Sequence, residues 1–314
     1  MAPLIGIGFP DLKVPAVTAM VNSGAFPGGT MTLAELLKTK RTLSFEVFPP
    51  KSGKGPAAAE VIDGLAGFAP DFLSCTSGAG GSETGRTLDV ARLILAAGLP
   101  VIPHLTCTEG NRDRILAGAT AFLEAGASGL LVLRGDFPPG YQVPEDGFAH
   151  ACDLIAFLKA KLPALCPGAA CYPETHLRAV SPQADIDFLR QKQDCGAEFA
   201  MTQLCYDVPA FERFLEAIRK AGVSIPVLVG VMPVTSRERT LRMTIDNGCS
   251  IPAELSAILG KYGADGENLA AAGIEYTAGL LRRFTEAGAD GLHLYSMNNV
   301  GTVARVLETG PISR

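Results

Sequence analysis

The sequence of 314 residues predicts an α/β protein with one domain, a (β/α)8 barrel of the TIM type. Three observations support this prediction. Eight short apolar runs recur along the chain, helical segments separate them, and five of the runs follow an Ala-Gly or Cys-Gly pair by a few residues. The runs have the near-continuous apolar character of strands that are buried on both faces.

The predicted strands are evenly distributed over about 270 residues. They span residues 43–48, 72–76, 101–105, 130–133, 169–172, 199–202, 227–231 and 292–295. The alternative is an open doubly wound sheet, which usually carries a glycine-rich phosphate loop after its first strand. No GxGxxG follows Phe48 here, so the sequence favours the barrel.

The dipeptide before five strands indicates how each helix ends. Glycine suits the left-handed conformation just past a helix C-terminus, from which a short link enters the next strand. The glycines concerned are Gly98, Gly126, Gly196, Gly222 and Gly288.

Local signals place several helices. Thr32 and Glu35 have the spacing of a capping box that opens a helix over 33–40. Ser181 and Pro182 are a plausible N-cap and first-turn pair. The side chains at 211, 214, 215 and 218 form an apolar stripe at helical spacing.

These elements divide the chain into an N-terminal arm and short helix (1–40), the barrel (41–308) and a C-terminal tail (309–314). The arm over 1–30 is apolar and rich in proline and glycine. It is interpreted as a loose arm, a packing segment, or the product of a start assigned to Met1 instead of Met31.

Composition excludes several classes of protein. With 47% hydrophobic and 19% charged residues the chain is not disordered. A net charge of −5 with dispersed basic residues gives no support to nucleic acid as a partner. No signal peptide or membrane-spanning run is predicted, and eight cysteines without CxxC spacing predict mostly buried thiols in a reducing cytoplasm.

Polar residues concentrate where the predicted strands end, which is where barrel enzymes place their chemistry. Glu46 lies inside an apolar strand, so it is either in a salt bridge across the barrel floor or a proton donor whose pKa burial raises. His104, taken alone, is more typical of a core histidine. A metal site from His104, His176 and a carboxylate lacks the usual spacing, so no metal is predicted.

Several runs together resemble the methylenetetrahydrofolate reductase family, in its bacterial FAD-dependent type. They are LSFEVFPPK (43–51), FLSCTSGAGG (72–81), PHLTC (103–107), LRGDFPPG (133–140), YPETH (172–176), MTQLCYD (201–207) and LHLYSMNN (292–299). They occur in the family's order over about residues 41 to 308.

The resemblance implies an FAD-containing enzyme that reduces 5,10-methylenetetrahydrofolate to 5-methyltetrahydrofolate. NADH or NADPH would supply the hydride in a ping-pong reaction. Glu46 would be the general acid, Asp136 would lie near the flavin and the folate, and Gln203 would bind the pterin. The positions implied around the flavin are Thr76, Ser77, Ala79, His104, Arg134, Gly135, Asp136, Tyr172, His176, Ala179, Asp185 and Lys192.

Three positions depart from the family pattern near the predicted substrate. Met243 stands where a Phe is usual, Arg239 where a Gln is usual, and Asn299 where an Arg usually meets the glutamate tail of folate. Arg239 is expected near the start of a helix opened by a capping box of Thr235 and Glu238. It belongs to a solvated helix face, or it replaces the missing arginine in binding the tail, or it binds the extra phosphate of NADPH.

Two other functions stay open at this point. One is a reductase-like scaffold subunit without catalysis, and the other is a folate-binding methyltransferase barrel without flavin. Because the charged fraction is low and family members are commonly homo-oligomers, a dimer or tetramer is expected.

Overall fold

The computed structural model describes residues 33–49, 57–77, 84–137, 140–263 and 265–310. The arm over 1–30, Thr32, Ala79 and the tail beyond residue 310 lie outside the described residues.

Eight parallel strands close into a barrel in chain order, each paired with the next and β8 paired with β1. The fold is therefore the predicted (β/α)8 barrel. The strands are β1 (Thr42–Val47), β2 (Phe72–Cys75), β3 (Val101–Thr106), β4 (Leu130–Leu133), β5 (Pro167–Cys171), β6 (Phe199–Leu204), β7 (Val227–Val231) and β8 (Gly291–Tyr295).

The helices lie before, between and after the strands. They are α1 (Leu33–Thr39), α2 (Ala58–Ala66), α3 (Thr84–Ala96), α4 (Arg112–Ala125), α5 (Ala151–Lys161), α6 (Pro182–Asp194), α7 (Val208–Lys220), α8 (Arg237–Asn247), α9 (Ala253–Tyr262), α10 (Gly266–Glu286) and α11 (Val300–Thr309). A short 3-10 helix, Cys107–Glu109, follows β3.

The repeated glycines have the predicted conformation. All five have positive φ values, from 78° at Gly98 to 112° at Gly196. Each reverses the chain at the end of a helix and sends it into the next strand, so this local signal sets the spacing of the barrel.

Helix starts agree with the sequence in one case and differ in another. Ser181 caps α6, since its Oγ accepts a hydrogen bond from the Ala184 backbone N–H at 3.1 Å. The capping box predicted at Thr235 is wrong by one residue. Ser236 is the N-cap of α8 instead, and its Oγ accepts from the Arg239 N–H at 3.3 Å.

The barrel interior has an apolar floor at one end. Ala34 and Leu37 of α1 pack against inward side chains of the strands, so α1 closes this end. The strand side chains in this cluster are Phe72, Ile102, Leu131, Cys166, Phe199, Met201 and Leu228. A separate and larger apolar cluster lies between the strands and the outer helices.

A polar layer crosses the interior beside the floor. The His293 ring contacts the Ser44 hydroxyl through Nδ1 at 2.8 Å and the Ser74 hydroxyl through Nε2 at 3.3 Å. Burial, with the charge of His104, lowers the pKa of His293 to about 3. His293 is therefore a neutral, hydrogen-bonded residue at neutral pH.

Candidate active site at the carboxyl ends of the strands

Glu46 lies near the carboxyl end of β1, in the mouth of the barrel. Its side chain is buried, with 7% of the residue exposed. Burial raises the pKa of its carboxyl from 4.5 to about 8. Glu46 is therefore mainly a neutral acid at pH 7, which is the protonation state a general acid needs.

The segment after β8 holds the end of β1 in place. The Ser296 hydroxyl donates to the backbone carbonyl of Glu46, and the Asn298 carboxamide both accepts from and donates to the Phe48 backbone at 2.9 Å. Asn298 has a positive φ of 54°. These contacts fix the backbone at Glu46 and just after it.

His104 of β3 faces Glu46 across the mouth. Its Nε2 lies 3.8 Å from the Glu46 Oε2, too far for a hydrogen bond, and this buried nitrogen has no hydrogen-bond partner among the described residues. Burial lowers the pKa of His104 to about 4. Since both groups are neutral at pH 7, the geometry favours the proton-donor interpretation of Glu46 over a salt bridge.

The turn after β4 brings Arg134 and Asp136 to the rim. Gly135 has a φ of 76°, and a Cβ there would lie 3.0 Å from the Cβ of Thr106. Both the conformation and the close approach require glycine. The Arg134 guanidinium lies 5.1 Å from the centre of the Phe137 ring, and Asp136 is exposed.

A second group of expected residues clusters between β5 and α6. The Tyr172 ring meets the His176 ring edge to face at 4.6 Å, and the Lys192 ammonium lies 5.8 Å from the Tyr172 centroid. Lys192 donates to the Ala170 carbonyl at 2.8 Å, while Asp185 accepts from the His176 backbone N–H at 2.8 Å.

Charge links this cluster to the turn after β4. Burial is the main cause that raises the pKa of Tyr172 to about 12, but Asp185 and Asp136 also raise it and Arg134 lowers it. Burial lowers the pKa of Lys192. The expected residues of β4, β5 and α6 therefore share one electrostatic environment.

Gln203 lies at an irregularity in β6. The pairing of β6 with β7 shifts register between Met201 and Leu204, and the Gln203 Oε1 accepts from the Leu204 N–H at 2.7 Å. This self-contact uses the acceptor of the carboxamide and orients its amino group.

The β2 side of the rim holds Thr76 and Ser77. The Ser77 hydroxyl donates to the Glu109 Oε1 at 2.9 Å, and Glu109 is almost fully buried. The Thr76 backbone pairs with the Val47 carbonyl at 3.1 Å. Ala179, on the loop before α6, donates its N–H to the His176 carbonyl at 2.8 Å.

The three positions that depart from the family pattern lie in α8 or at the start of α11, two helices that begin beyond strand ends. Arg239 is half-buried in the first turn of α8 and has no salt bridge among the residues described, whereas Met243 packs against the core. Asn299 is the N-cap of α11, where its Oδ1 accepts from the Thr302 N–H at 2.9 Å. The carboxamide of Asn299 therefore has a structural role in helix capping.

The sequence alone did not single out four residues that shape this mouth. Glu109, Tyr295, Ser296 and Asn298 make buried or bridging contacts there. Tyr295, for example, donates its hydroxyl to the Thr202 carbonyl at 3.0 Å. The available signal was alternation, because Tyr295 lies two residues after the inward-facing His293 on β8.

Metal-ligand clusters and membrane-spanning helices are both absent from the part of the chain that the structure describes. No three His, Cys, Asp or Glu side chains there are grouped to hold a metal ion. None of the helices described is both long and apolar enough to cross a membrane.

Comparisons with known proteins agree with this geometry. Residues 32–310 match the family model described as methylenetetrahydrofolate reductase. The chain is 32% identical over 258 residues to a 5,10-methylenetetrahydrofolate reductase of Salmonella typhimurium, covering 82% of this chain and 86% of that protein.

Plant relatives are longer. The chain is 34% identical over 274 residues to a probable methylenetetrahydrofolate reductase (NADH) of rice, and this match covers 82% of the chain but 46% of the rice protein. The chain thus spans about half the length of these plant relatives.

A solved structure shares the fold. An uncharacterized protein from Clostridium thermocellum, described as binding two copies of 5-methyl-5,6,7,8-tetrahydrofolic acid, superposes with a TM-score of 0.61 at 15% identity, covering 87% of this chain and 96% of that one. With the family model matching nearly the whole barrel, and the family's motifs gathered at one end of it, the chain belongs to the methylenetetrahydrofolate reductase family.

Proposed function

We propose that this protein reduces 5,10-methylenetetrahydrofolate to 5-methyltetrahydrofolate, with FAD as resident cofactor and NADH or NADPH as hydride source in a ping-pong reaction. The observation that carries this proposal is Glu46, a buried carboxyl with a pKa of about 8 in the mouth of the barrel. Opening the five-membered ring of the folate requires a proton at a ring nitrogen. A neutral carboxylic acid held near neutral pH supplies one.

His104 supports this role through its neutrality. A protonated histidine at 3.8 Å would favour the ionised carboxylate and lower the pKa of Glu46. With the pKa of His104 at about 4, the histidine leaves the proton on Glu46. Its Nε2, which has no hydrogen-bond partner within the described ranges, is also a buried polar atom available to a bound ligand.

The residues between β4 and α6 fit a flavin dinucleotide. Arg134 and Lys192 provide positive charge for a diphosphate, and Gly135, with its positive φ, makes the turn that carries Arg134 and Asp136 to the rim. When bound, FAD would carry the hydride from the nicotinamide cofactor to the folate.

A cavity of about 400 Å³ adjoins this cluster between α6 and α7. Its lining includes Glu174, Asp185 and Asp207, with Arg213 as the cation. Carboxylates accept hydrogen bonds from hydroxyl groups and repel phosphates. The cavity therefore suits the sugar hydroxyls of a nucleotide better than its phosphates.

Asp136 and Gln203 are proposed to act on the folate. The Asp136 carboxylate favours the positive iminium that ring opening produces. The Gln203 carboxamide, whose oxygen already bonds the Leu204 N–H, presents its amino group as a donor to the pterin. Met243 is proposed to pack beside the substrate. Asn299 is proposed to cap α11 near the glutamate tail of the folate.

The test separates the two half-reactions of the variant Glu46→Gln by stopped-flow spectroscopy of the flavin. Reduction of the flavin by NADH or NADPH should be nearly unchanged, since that step needs no proton from Glu46. Oxidation of the reduced flavin by methylenetetrahydrofolate should slow by about 10²–10⁴-fold, because glutamine cannot donate the proton.

The exposed Glu216 on α7 provides a matched control, and Glu216→Gln should leave both half-reactions unchanged. Equal losses in both half-reactions of Glu46→Gln would show that Glu46 is structural. A purified protein that never takes up FAD would exclude the flavin mechanism and favour the methyltransferase alternative. A flavin that is reduced but never transfers hydride to folate would favour the scaffold alternative.

A further inference from the structure

Two cysteine thiols meet on the outside of the barrel, away from Glu46 and His104. Cys152 lies in the first turn of α5, and Cys195 is the C-cap of α6. Their Sγ atoms are 2.8 Å apart, within reach of a bond of about 2.05 Å after a small movement. Both residues are partly exposed.

The other six thiols have different environments. Cys75, Cys107, Cys166, Cys171 and Cys205 are buried, and Cys249 donates to the Leu204 carbonyl at 2.9 Å. Cys152 and Cys195 thus combine direct sulfur contact with access to solvent. Nothing in the proposed reaction uses them.

We propose that Cys152 and Cys195 form a reversible redox site, in which a small disulfide of the glutathione class oxidises the two thiols to a disulfide that links α5 to α6.

The chemistry balances without a further reactant. One cysteine thiolate attacks a sulfur of the disulfide reagent, which breaks its S–S bond and releases one small thiolate. The second cysteine thiolate then attacks the Sγ of the first cysteine in this mixed disulfide, forms the Cys152–Cys195 bond and releases the second small thiolate. The protein loses two protons and two electrons, and the reagent is reduced to two thiols.

The surroundings of Cys152 determine how fast this exchange runs. Burial, and then the hydrogen bond with Cys195, raises the pKa of Cys152 to about 12, although the charge of Lys192 acts in the opposite direction. The thiolate is the attacking species, so exchange should be slow at pH 7 and accelerate about tenfold per pH unit as the pH rises.

The link would restrain a part of α6 that faces the cluster at β5. Cys195 lies three residues after Lys192, whose ammonium donates to the Ala170 carbonyl. The Cys152 thiol already contacts the Gln191 carbonyl at 3.9 Å. A bond closing the 43-residue separation between the two cysteines would also restrict the unfolded chain and so stabilise the fold.

The test uses the full-length protein, reduced and then exposed to oxidised glutathione at pH 8. Alkylation and intact-mass measurement should count eight reactive thiols in unfolded reduced protein and six after oxidation, as two of the eight form the bond. Peptide mapping should find Cys152 joined to Cys195. The melting temperature should rise on the order of 5 °C, and dithiothreitol should reverse all three changes.

Cys249→Ser, which changes the third partly exposed thiol, is the matched control and should form the disulfide like the wild type. Cys152→Ser and Cys195→Ser should show neither the linked peptide nor the stabilisation. A wild-type protein that keeps eight free thiols, joins Cys205 to Cys249, or forms only intermolecular or glutathione-mixed disulfides would overturn the proposal. The wild-type map gives this answer even where a serine variant folds poorly.

Discussion

The floor and the mouth of this barrel are built from the same eight strands, yet they hold opposite kinds of side chain. At the floor, Phe72, Phe199 and Leu228 pack against α1 with no polar atom among their side chains. At the mouth, Glu46 and His104 are almost as deeply buried, but their side chains lie 3.8 Å apart without a hydrogen bond between them, and the His104 Nε2 has no partner among the residues that the structure describes.

This difference separates stability from chemistry within one set of strands. Floor residues lower the free energy of the folded state by removing apolar surface from water. Mouth residues raise the free energy of the folded state, because burial holds Glu46 and His104 in their neutral forms at pH values where the free side chains would be charged. Substitutions at the two ends should therefore change stability in opposite directions.

The largest effect is expected at the floor. Phe199→Ala removes a fully buried ring that lies against Gly168, where no Cβ fits, and should lower the free energy of unfolding by about 3–5 kcal/mol. Urea denaturation followed by circular dichroism measures this loss. Phe188→Ala, a half-exposed residue on α6, should change stability by less than about 0.5 kcal/mol.

The mouth should respond in the opposite sense. The pKa of Glu46 is raised in the folded protein, so between about pH 4.5 and 8 the unfolded chain releases a proton that the folded one keeps, and stability falls as pH rises. Glu46→Gln removes this dependence. The variant should be about 3 kcal/mol more stable than wild type at pH 7, with little difference at pH 4.5.

Urea unfolding at both pH values provides the comparison. A variant that is less stable than wild type at pH 7 would show that Glu46 makes favourable contacts and that the mouth is not a source of instability.

The two buried histidines, His293 in the polar layer and His104 in the mouth, give an acid-side effect that is smaller for each residue. Folded His104 and His293 have pKa values of about 4 and 3, so below pH 6.5 the unfolded chain binds protons that the folded one does not, and stability falls as pH falls. Each histidine should contribute about 2 kcal/mol of loss between pH 6.5 and 4.5.

His293→Asn keeps a side chain that can bond Ser44 and Ser74 and should remove about half of this slope. His150→Asn, on the exposed residue before α5, should retain it. An unchanged slope in His293→Asn would mean that other groups govern acid unfolding.

The smallest effect is expected at the rim. If Arg239 binds the glutamate tail of folate, Arg239→Ala should raise the apparent Michaelis constant for the folate substrate roughly 5–30-fold. This is the equivalent of about 1–2 kcal/mol for a charge-assisted hydrogen bond. Flavin reduction by the nicotinamide cofactor should not change. Arg242→Ala on the same helix, with an exposed side chain, is the control.

A loss of preference for NADPH at unchanged folate affinity would assign Arg239 to phosphate binding. No change in either quantity would assign it to the solvated face of α8.

Individual residues show how far the sequence could go. Gly98 and its four counterparts were predictable because their conformation depends on backbone sterics within a few residues. The N-cap of α8 was predicted one residue early, since Thr235 and Ser236 are both good caps and the choice between them depends on how the chain leaves β7.

The candidate site divides in the same way. The sequence placed Glu46, His104 and Gln203 at strand ends, and the barrel topology was enough to bring strand ends together. It did not indicate that the Gln203 side-chain oxygen accepts a hydrogen bond from the next backbone N–H, or that Asn298 hydrogen-bonds the backbone just after β1. Nor did it indicate that two thiols 43 positions apart are in contact.

Local sequence patterns were enough to predict the number and order of the strands, the glycine turns between helices and strands, and the end of the barrel at which polar residues collect. These features follow from hydrophobic periodicity and local backbone preference, which act over short stretches of chain. Which buried groups are charged and which are neutral depends instead on how the folded chain packs. Burial sets the pKa values of Glu46 and His104, and that burial depends on side chains brought together from distant strands.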